Sequence, residues 1–179
     1  MNFKNIDEIY AANDRIRDAL GETIKGIDSE ELKAHPDGEK WSIEQIVEHV
    51  SIVEESVTRI CRKLLTTAQE GDLKASGEIL ISDGFRGYVG NIDDVKLEAP
   101  ERVWPKGELS VQAAQMKMTE NRTVFETLLP LFKEFDGTSP KFPHPYFGPL
   151  SAQEWLILSG EHARRHTKQI EKLIEKVRQ

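Results

Sequence analysis

The amino-acid sequence predicts an all-α protein: a four-helix bundle with one long crossover connection between its second and third helices. Two observations support this prediction. Four stretches carry apolar residues at helical spacing, and Gly- or Pro-containing segments separate them. Because short links place neighbouring helices antiparallel, four long amphipathic helices pack most simply as a bundle. A length of 179 residues suits one domain, so we expect a single domain over residues 1–179.

The clearest helix is predicted over residues 42–70. It begins at Ser42, which stands three residues before Gln45 in the spacing of a capping box. The apolar residues that follow share one helical face, and most of the charged residues lie away from it. The apolar face comprises Ile43, Ile46, Val50, Val53, Val57, Ile60 and Leu64.

Three further helices complete the prediction. The last helix is predicted over residues 151–179 and begins at Ser151, which has Glu154 at capping-box spacing. Weaker periodicity predicts helices over residues 3–25 and 110–135. We expect Pro130 to bend or shorten the second of these, because proline cannot donate a helical hydrogen bond.

The connections between these helices are marked by glycine and proline. The first lies around residues 35–38 and is short. The second, residues 71–109, is expected to wrap the bundle with little regular structure, and a segment of that length is usually functional or packed as a lid. The third, residues 136–150, is dense in proline and aromatic residues, which forbids a continuing helix.

Composition narrows the classes of partner and compartment. The chain has 24 Lys and Arg against 31 Asp and Glu, a net charge of −7, which disfavours binding to nucleic acid or to an anionic membrane. No apolar run reaches the ~18 residues that a membrane span needs, so we expect a cytoplasmic protein. The lone cysteine, Cys61, excludes an internal disulfide and a zinc site built on cysteine pairs.

Three histidines occupy positions that suggest a metal site. His162 and His166 lie one turn apart on the inward face of the last helix, a spacing that lets two imidazoles converge on one ion. His49 lies at the edge of the apolar face of the helix over residues 42–70. The alternative is a set of core histidines hydrogen-bonded to neighbours. Burying three imidazoles without partners would cost on the order of a kcal/mol or more each, whereas a divalent ion satisfies all three.

Three segments also resemble a known family. Residues 41–50, WSIEQIVEHV, resemble the Trp-Ser-x-x-(Glu/Gln)-x-x-x-His signature of the DinB-like (YfiT-like) metal-dependent four-helix-bundle superfamily. Residues 162–170, HARRHTKQI, look like its His-x-x-x-His-x-x-Gln-Ile ending. Residues 144–156 are similar to the loop that enters the last helix in many members. The matches occur in the family's order and span most of the chain.

The resemblance implies a bundle with a three-histidine site formed by His49, His162 and His166. The family binds zinc, nickel, iron or manganese there and leaves positions open for water or substrate. Of these metals we expect zinc or nickel. Members of known activity are mostly transferases or isomerases that act with low-molecular-weight thiols such as bacillithiol, mycothiol or glutathione, and others are described as hydrolases.

An open three-histidine site admits two kinds of chemistry. The bound ion would activate either a thiol for S-transfer or a water molecule for hydrolysis. Hydrolysis needs a general base near the water. Glu48 and Glu161 adjoin ligands in sequence, but at ~100° from them we expect these side chains to face outward or to orient a histidine. No catalytic residue is assigned. Thiol transfer therefore ranks ahead of hydrolysis, and a non-catalytic metal-binding or structural bundle is the remaining alternative.

Two more residues are candidates for the pocket, and the expected partners follow from the same reasoning. His144, between prolines, is a candidate fourth ligand, a pocket donor or a plain turn residue. Arg165 lies on a polar flank of the ligand helix and would reach an acidic substrate if the long connection folds over the site. We expect a small-molecule substrate, and a homodimer formed through exposed helix faces.

Overall fold

The computed structural model describes residues 2–92 and 97–179 and confirms the predicted all-α four-helix bundle. The two long helices α3 and α6 pack against each other, α5 packs against α3, and α1 packs against α6 and also touches α5. None of the described helices is long and apolar enough to span a membrane. In chain order the elements are α1 (Ile6–Ile24), α2 (Ser29–Lys33), α3 (Ile43–Glu70), α4 (Asp83–Gly90), a 3-10 turn (Glu101–Val103), α5 (Val111–Glu134), β1 (Lys141–His144), β2 (Gly148–Ser151) and α6 (Ala152–Val177).

The predicted starts of the two strongest helices are confirmed by their capping boxes. At the start of α3, the Ser42 hydroxyl accepts from the Gln45 amide at 3.3 Å, and the Gln45 side chain accepts from the Ser42 amide at 3.1 Å. Ser151 and Glu154 make the same pair at the start of α6, at 3.2 and 2.9 Å. These bonds satisfy amide groups that a helix N-terminus would otherwise leave unpaired.

The crossover from α3 to α5 has more regular structure than the sequence indicates. The expectation of an irregular segment is wrong at Asp83–Gly90, which form α4, and at Glu101–Val103, which form a 3-10 turn. The Ser82 hydroxyl caps α4, and the helix buries Phe85 and Val89 in the core. That burial offsets the cost of three glycines in the helix. Residues 93–96, within the same predicted segment, lie outside the described residues.

Three smaller features complete the comparison with the sequence. The first connection is not wholly irregular, because the one-turn helix α2 precedes residues 35–38 and has its own capping box between Asp28 and Glu31. As expected, no helix continues through the proline-rich connection before α6; it forms a β-hairpin, in which Lys141 pairs with Ser151 and His144 with Gly148. Of the two effects expected of Pro130, shortening does not occur: α5 continues to Glu134, and its last turn anchors Phe132 in the core.

The interior of the bundle combines two apolar clusters with a buried polar network. One cluster includes Phe85, Phe125 and Trp155 and lies beside the hairpin and α4, whereas the other includes Val47, Val50 and Ile170 and lies along the parts of α3 and α6 that contain the three candidate histidines. The polar network joins α1, α3 and α5: Glu54 accepts hydrogen bonds from Arg17 at 2.6 Å and from Asn121 at 3.4 Å.

Candidate metal centre

The three histidines singled out in the sequence converge in the bundle. α3 supplies His49 and α6 supplies His162 and His166, and one ring nitrogen of each lies within 4.8 Å of the other two. The Nε2 atom of His162 is 3.1 Å from Nε2 of His49 and 3.2 Å from Nε2 of His166. His49 and His166 are buried and His162 is partly buried. The packing of α3 against α6 therefore assembles the cluster that the two sequence motifs suggest.

Hydrogen bonds on the far side of the rings fix which nitrogens carry protons. Nδ1 of His49 lies 2.6 Å from the carbonyl oxygen of Val103, and Nδ1 of His166 lies 2.9 Å from Oε1 of Gln169. Both oxygens can only accept, so both Nδ1 atoms carry the proton and the Nε2 atoms present lone pairs to the centre. This outer support is typical of metal-binding histidines.

The donor set fits a divalent transition metal. In the absence of an ion, Nε2 of His162 can donate a proton to only one of its two neighbours, which leaves two lone pairs facing each other at the other contact. Three nitrogens bound to a tetrahedral zinc ion at about 2.0–2.1 Å stand about 3.3–3.4 Å apart. Two of the three separations, 3.1 and 3.2 Å, are close to this value, and the third lies within 4.8 Å. Three histidine ligands therefore suit one ion.

The surroundings keep these imidazoles neutral, which is the form that binds a metal. Burial lowers the pKa of His49 to about 4, an effect partly opposed by the hydrogen bond to Val103 and reinforced by the charge of Arg165. Burial and the neighbouring His49 lower the pKa of His166 to about 3. Burial, with the other two histidines close by, holds the pKa of His162 well below its usual range. Protons therefore compete weakly for the site near neutral pH.

The two carboxylates next to the ligands in sequence are both engaged elsewhere. Glu48 does not face outward as expected. It is buried, and its carboxylate accepts hydrogen bonds from the backbone amides of Gly107 at 2.8 Å and Glu108 at 3.4 Å in the crossover. Glu161 pairs with Arg164 at 2.6 Å. Neither carboxylate hydrogen-bonds to an imidazole of the cluster.

The hairpin holds His144 against aromatic side chains. The imidazole of His144 stacks on Phe147 with ring centroids 4.0 Å apart, and it lies 5.2 Å from the ring of Trp155. Trp155 lies two turns before His162 on α6, on the same face of the helix. Nδ1 of His144 accepts from the Tyr146 amide at 3.2 Å, so Nε2 carries the proton of the neutral ring. The structure places His144 outside the three-histidine cluster.

Arg165 lies between two of the ligands on α6 and is partly buried. Its positive charge acts on all three imidazoles and contributes to their lowered pKa values. The arginine therefore adds positive potential at the centre of a chain whose net charge is −7.

Sequence reasoning assigned no supporting role to three groups around the cluster, although Trp41 and Gln169 belong to the quoted motifs. Gln169 stands three residues after His166, and this helical spacing is a signal that could have identified it as the partner of Nδ1. Trp41 packs on His49 with ring centroids 4.8 Å apart. The Val103 carbonyl gives no signal in the sequence, since any residue type offers a backbone oxygen.

Comparison with known proteins defines the class. The chain matches the DinB superfamily model over residues 12–170, and it belongs to that superfamily of helical proteins. It is 23% identical over 156 residues to the uncharacterized protein YuaE of Bacillus subtilis (strain 168), a match that covers 86% of this chain and 90% of the relative. Its fold is similar to the crystal structure of TT2238, a four-helix bundle protein, with a TM-score of 0.58, 22% identity, and coverage of 92% of this chain and 96% of that one.

Proposed function

We propose that this DinB-superfamily protein is a metal-dependent enzyme whose ligands are His49, His162 and His166, and that it activates a low-molecular-weight thiol for S-transfer. The observation that carries the proposal is the convergence of three neutral imidazoles: Nε2 of His162 lies 3.1 Å from Nε2 of His49 and 3.2 Å from Nε2 of His166, and these two neighbours are each hydrogen-bonded through Nδ1. Zinc or nickel suits an all-imidazole donor set, and iron and manganese are the alternatives.

The number of ligands favours a site that accepts a substrate. Among the described residues, the cluster contains three histidines and no fourth histidine, cysteine or carboxylate. Structural zinc sites usually have four protein ligands, whereas catalytic sites have three and keep a position open. A divalent ion held in this way lowers the pKa of a bound thiol or water, so that either becomes a nucleophile near neutral pH.

The engaged carboxylates favour thiol transfer over hydrolysis. Hydrolysis needs a base that accepts a proton from water. Glu48 is committed to the crossover amides and Glu161 to Arg164, so the two nearest candidates in sequence are occupied. A thiol would need no such base, because it would lose its proton to solvent on binding the ion. Its sulfur would bond to an electrophilic carbon of the second substrate, and the leaving group would depart with the electron pair of the broken bond. Metal-dependent hydrolysis remains the second candidate.

We propose that the β1–β2 hairpin and α6 form walls of the substrate pocket. His144 makes no hydrogen bond through Nε2 to any described residue, so this N–H is available to a ligand. Its small contribution to the lowered pKa of His162 supports a position near the centre. Arg165 supplies positive charge that suits an acidic group on the substrate. We further propose that the protein acts in the cytoplasm as a homodimer, whose mass light scattering would measure.

Elemental analysis of untagged protein tests the metal site. We expect about one equivalent of a transition metal in the parent and none in the His162→Ala and His166→Ala variants, because removing either leaves two ligands. Asn91→Ala, a change on the exposed surface of the crossover, is the control and should keep the metal. A parent that remains metal-free after incubation with zinc, nickel and manganese would refute the proposal.

A second assay separates the reactions. The metal-loaded parent is mixed with a thiol and an alkylating electrophile, and thiol loss is followed with a thiol-reactive dye. In parallel it is mixed with an activated ester in the absence of thiol. Metal-dependent thiol loss that disappears in His166→Ala supports S-transfer. Ester cleavage alone supports the hydrolase. A loaded protein that does neither would indicate a non-catalytic bundle.

A further inference from the structure

Glu48 is a buried carboxylate with an unusual set of partners. It is 2% exposed and lies directly before the ligand His49 on α3. Within the described chain, it pairs with no cationic side chain, and its hydrogen bonds come from the backbone amides of Gly107 and Glu108. Burying a carboxylate is costly unless hydrogen bonds compensate. The two loop amides provide the hydrogen bonds that compensate the burial of Glu48, and the same bonds hold the loop against α3.

The same loop supplies the group that orients His49. Val103, four residues before Gly107, accepts the Nδ1 proton of His49 at 2.6 Å. The consecutive residues Glu48 and His49 therefore hold residues 103–108 at two points. Gly107 has a φ of +71°, a conformation that glycine adopts easily, and its amide donates to Glu48 at 2.8 Å.

The tautomer of His49 depends on that carbonyl. While Val103 accepts the Nδ1 proton, Nε2 is left with a lone pair that faces His162. If residues 103–108 moved away, Nδ1 would lose its acceptor and the ring could hold its proton on Nε2 or rotate. In either case the Nε2 atom of His49 would no longer direct a lone pair at the centre of the cluster.

We propose that Glu48 is a positioning residue of the three-histidine centre, because its carboxylate holds residues 103–108 where the Val103 carbonyl fixes the tautomer and direction of His49. The effect on metal affinity rests on the proposed metal site, whereas the effect on the imidazole does not. The two are therefore measured separately.

The test uses Glu48→Gln with Glu54→Gln as the matched control. Both are buried glutamates of α3, but Glu54 bonds to Arg17 and Asn121 rather than to the crossover. The tautomers are read from nitrogen-15 NMR spectra of the histidines in metal-free protein, with the His49 signals assigned by their loss in His49→Asn. We expect Nδ1-protonated His49 in the parent and in Glu54→Gln, and a mixture of tautomers in Glu48→Gln.

Zinc affinity, measured by competition with a chelator, is the second readout. Loss of an outer hydrogen-bonding partner typically weakens metal binding about 10- to 100-fold, and we expect a decrease in this range for Glu48→Gln but not for Glu54→Gln. Should the parent bind none of zinc, nickel and manganese, the proposed function would fail, but the tautomer comparison would still decide the role of Glu48.

Gly107→Ala disturbs the loop from the other side. A Cβ at this position meets no atom within 4 Å, so the substitution acts through the strain of a positive φ rather than through a clash. We expect Gly107→Ala to give the same mixture of His49 tautomers as Glu48→Gln. If Glu48→Gln does not fold, the Gly107→Ala result tests the proposal. A parental His49 tautomer with unchanged zinc affinity in a folded Glu48→Gln or Gly107→Ala protein would overturn the proposal.

Discussion

α1 packs tightly against α6 at Gly160, so Gly160→Ala should destabilise the bundle. A Cβ added at Gly160 would lie 2.0 Å from Oδ1 and 2.9 Å from Cγ of Asn13. Asn13 is buried, and its amide donates to the carbonyl of Leu156 at 2.9 Å. The Asn13 side chain must leave this position and lose its hydrogen bond, and the methyl group must still be accommodated between the two packed helices. The outcome matters for the site because Gly160 stands two residues before His162.

The expected change in the free energy of unfolding follows from two destabilising contributions and one stabilising contribution. Forcing a methyl group into a packed interior costs about 1–3 kcal/mol. Loss of the Asn13 hydrogen bond adds about 1 kcal/mol. Replacing glycine by alanine within a helix returns about 1 kcal/mol. The net destabilisation is therefore about 1–3 kcal/mol, which corresponds to a decrease in Tm of about 2–12 °C for a chain of this size.

Urea unfolding of four proteins tests this reasoning: the parent, Gly160→Ala, Asn13→Ala and the double variant. Removing Asn13 makes room for the new methyl group, so the two substitutions should together cost less than their sum by at least about 1 kcal/mol. Additive costs would show that the methyl group does not meet Asn13. A Gly160→Ala protein as stable as the parent would refute the close approach itself.

Three further outcomes are expected. Zinc at 100 times its Kd should stabilise the parent by about 2.7 kcal/mol, raising Tm by about 5–11 °C, but should not stabilise His166→Ala. Burial raises the pKa of Glu154, but hydrogen bonds from Ser151 and Ser82 outweigh this effect and lower the pKa below 4.5. The ionised carboxylate therefore stabilises the fold above pH 4.5. The free energy of unfolding lost in Glu154→Gln, measured with urea, should be largest there and should decrease at lower pH. Cys61 is fully buried with a raised pKa, so a thiol-reactive dye should label it only upon unfolding.

The sequence was sufficient to predict the helices that carry the ligands. Capping boxes at Ser42 and Ser151 identify where α3 and α6 begin, because serine and a glutamine or glutamate three residues later satisfy free amides at a helix start. The spacing of His162 and His166 likewise places both imidazoles on one face before any tertiary structure is known. These features depend only on residues within one helical turn of each other, so they can be predicted from the spacing of residue types in the sequence.

Features that depend on contacts between distant segments could not be predicted in this way. Three glycines argue against a helix at α4, but the burial of Phe85 and Val89 against the bundle outweighs that preference. The inward direction of Glu48 depends on the path of the crossover, because the amides of Gly107 and Glu108 are what make its burial tolerable. Every residue type except proline has a backbone amide, so the sequence does not indicate which amides donate to Glu48.

The three histidines of the proposed metal site also differ in what orients them, and this difference predicts how the site responds to substitutions. His162 and His166 lie on one helix, and His166 is oriented by Gln169 of that same helix. His49 alone takes its orientation from a loop carbonyl. Displacing the crossover should therefore weaken metal binding while two ligands remain in place, whereas replacing either histidine of α6 should abolish it. Because the crossover also borders the site, a substrate that repositions this loop would act on the metal through His49.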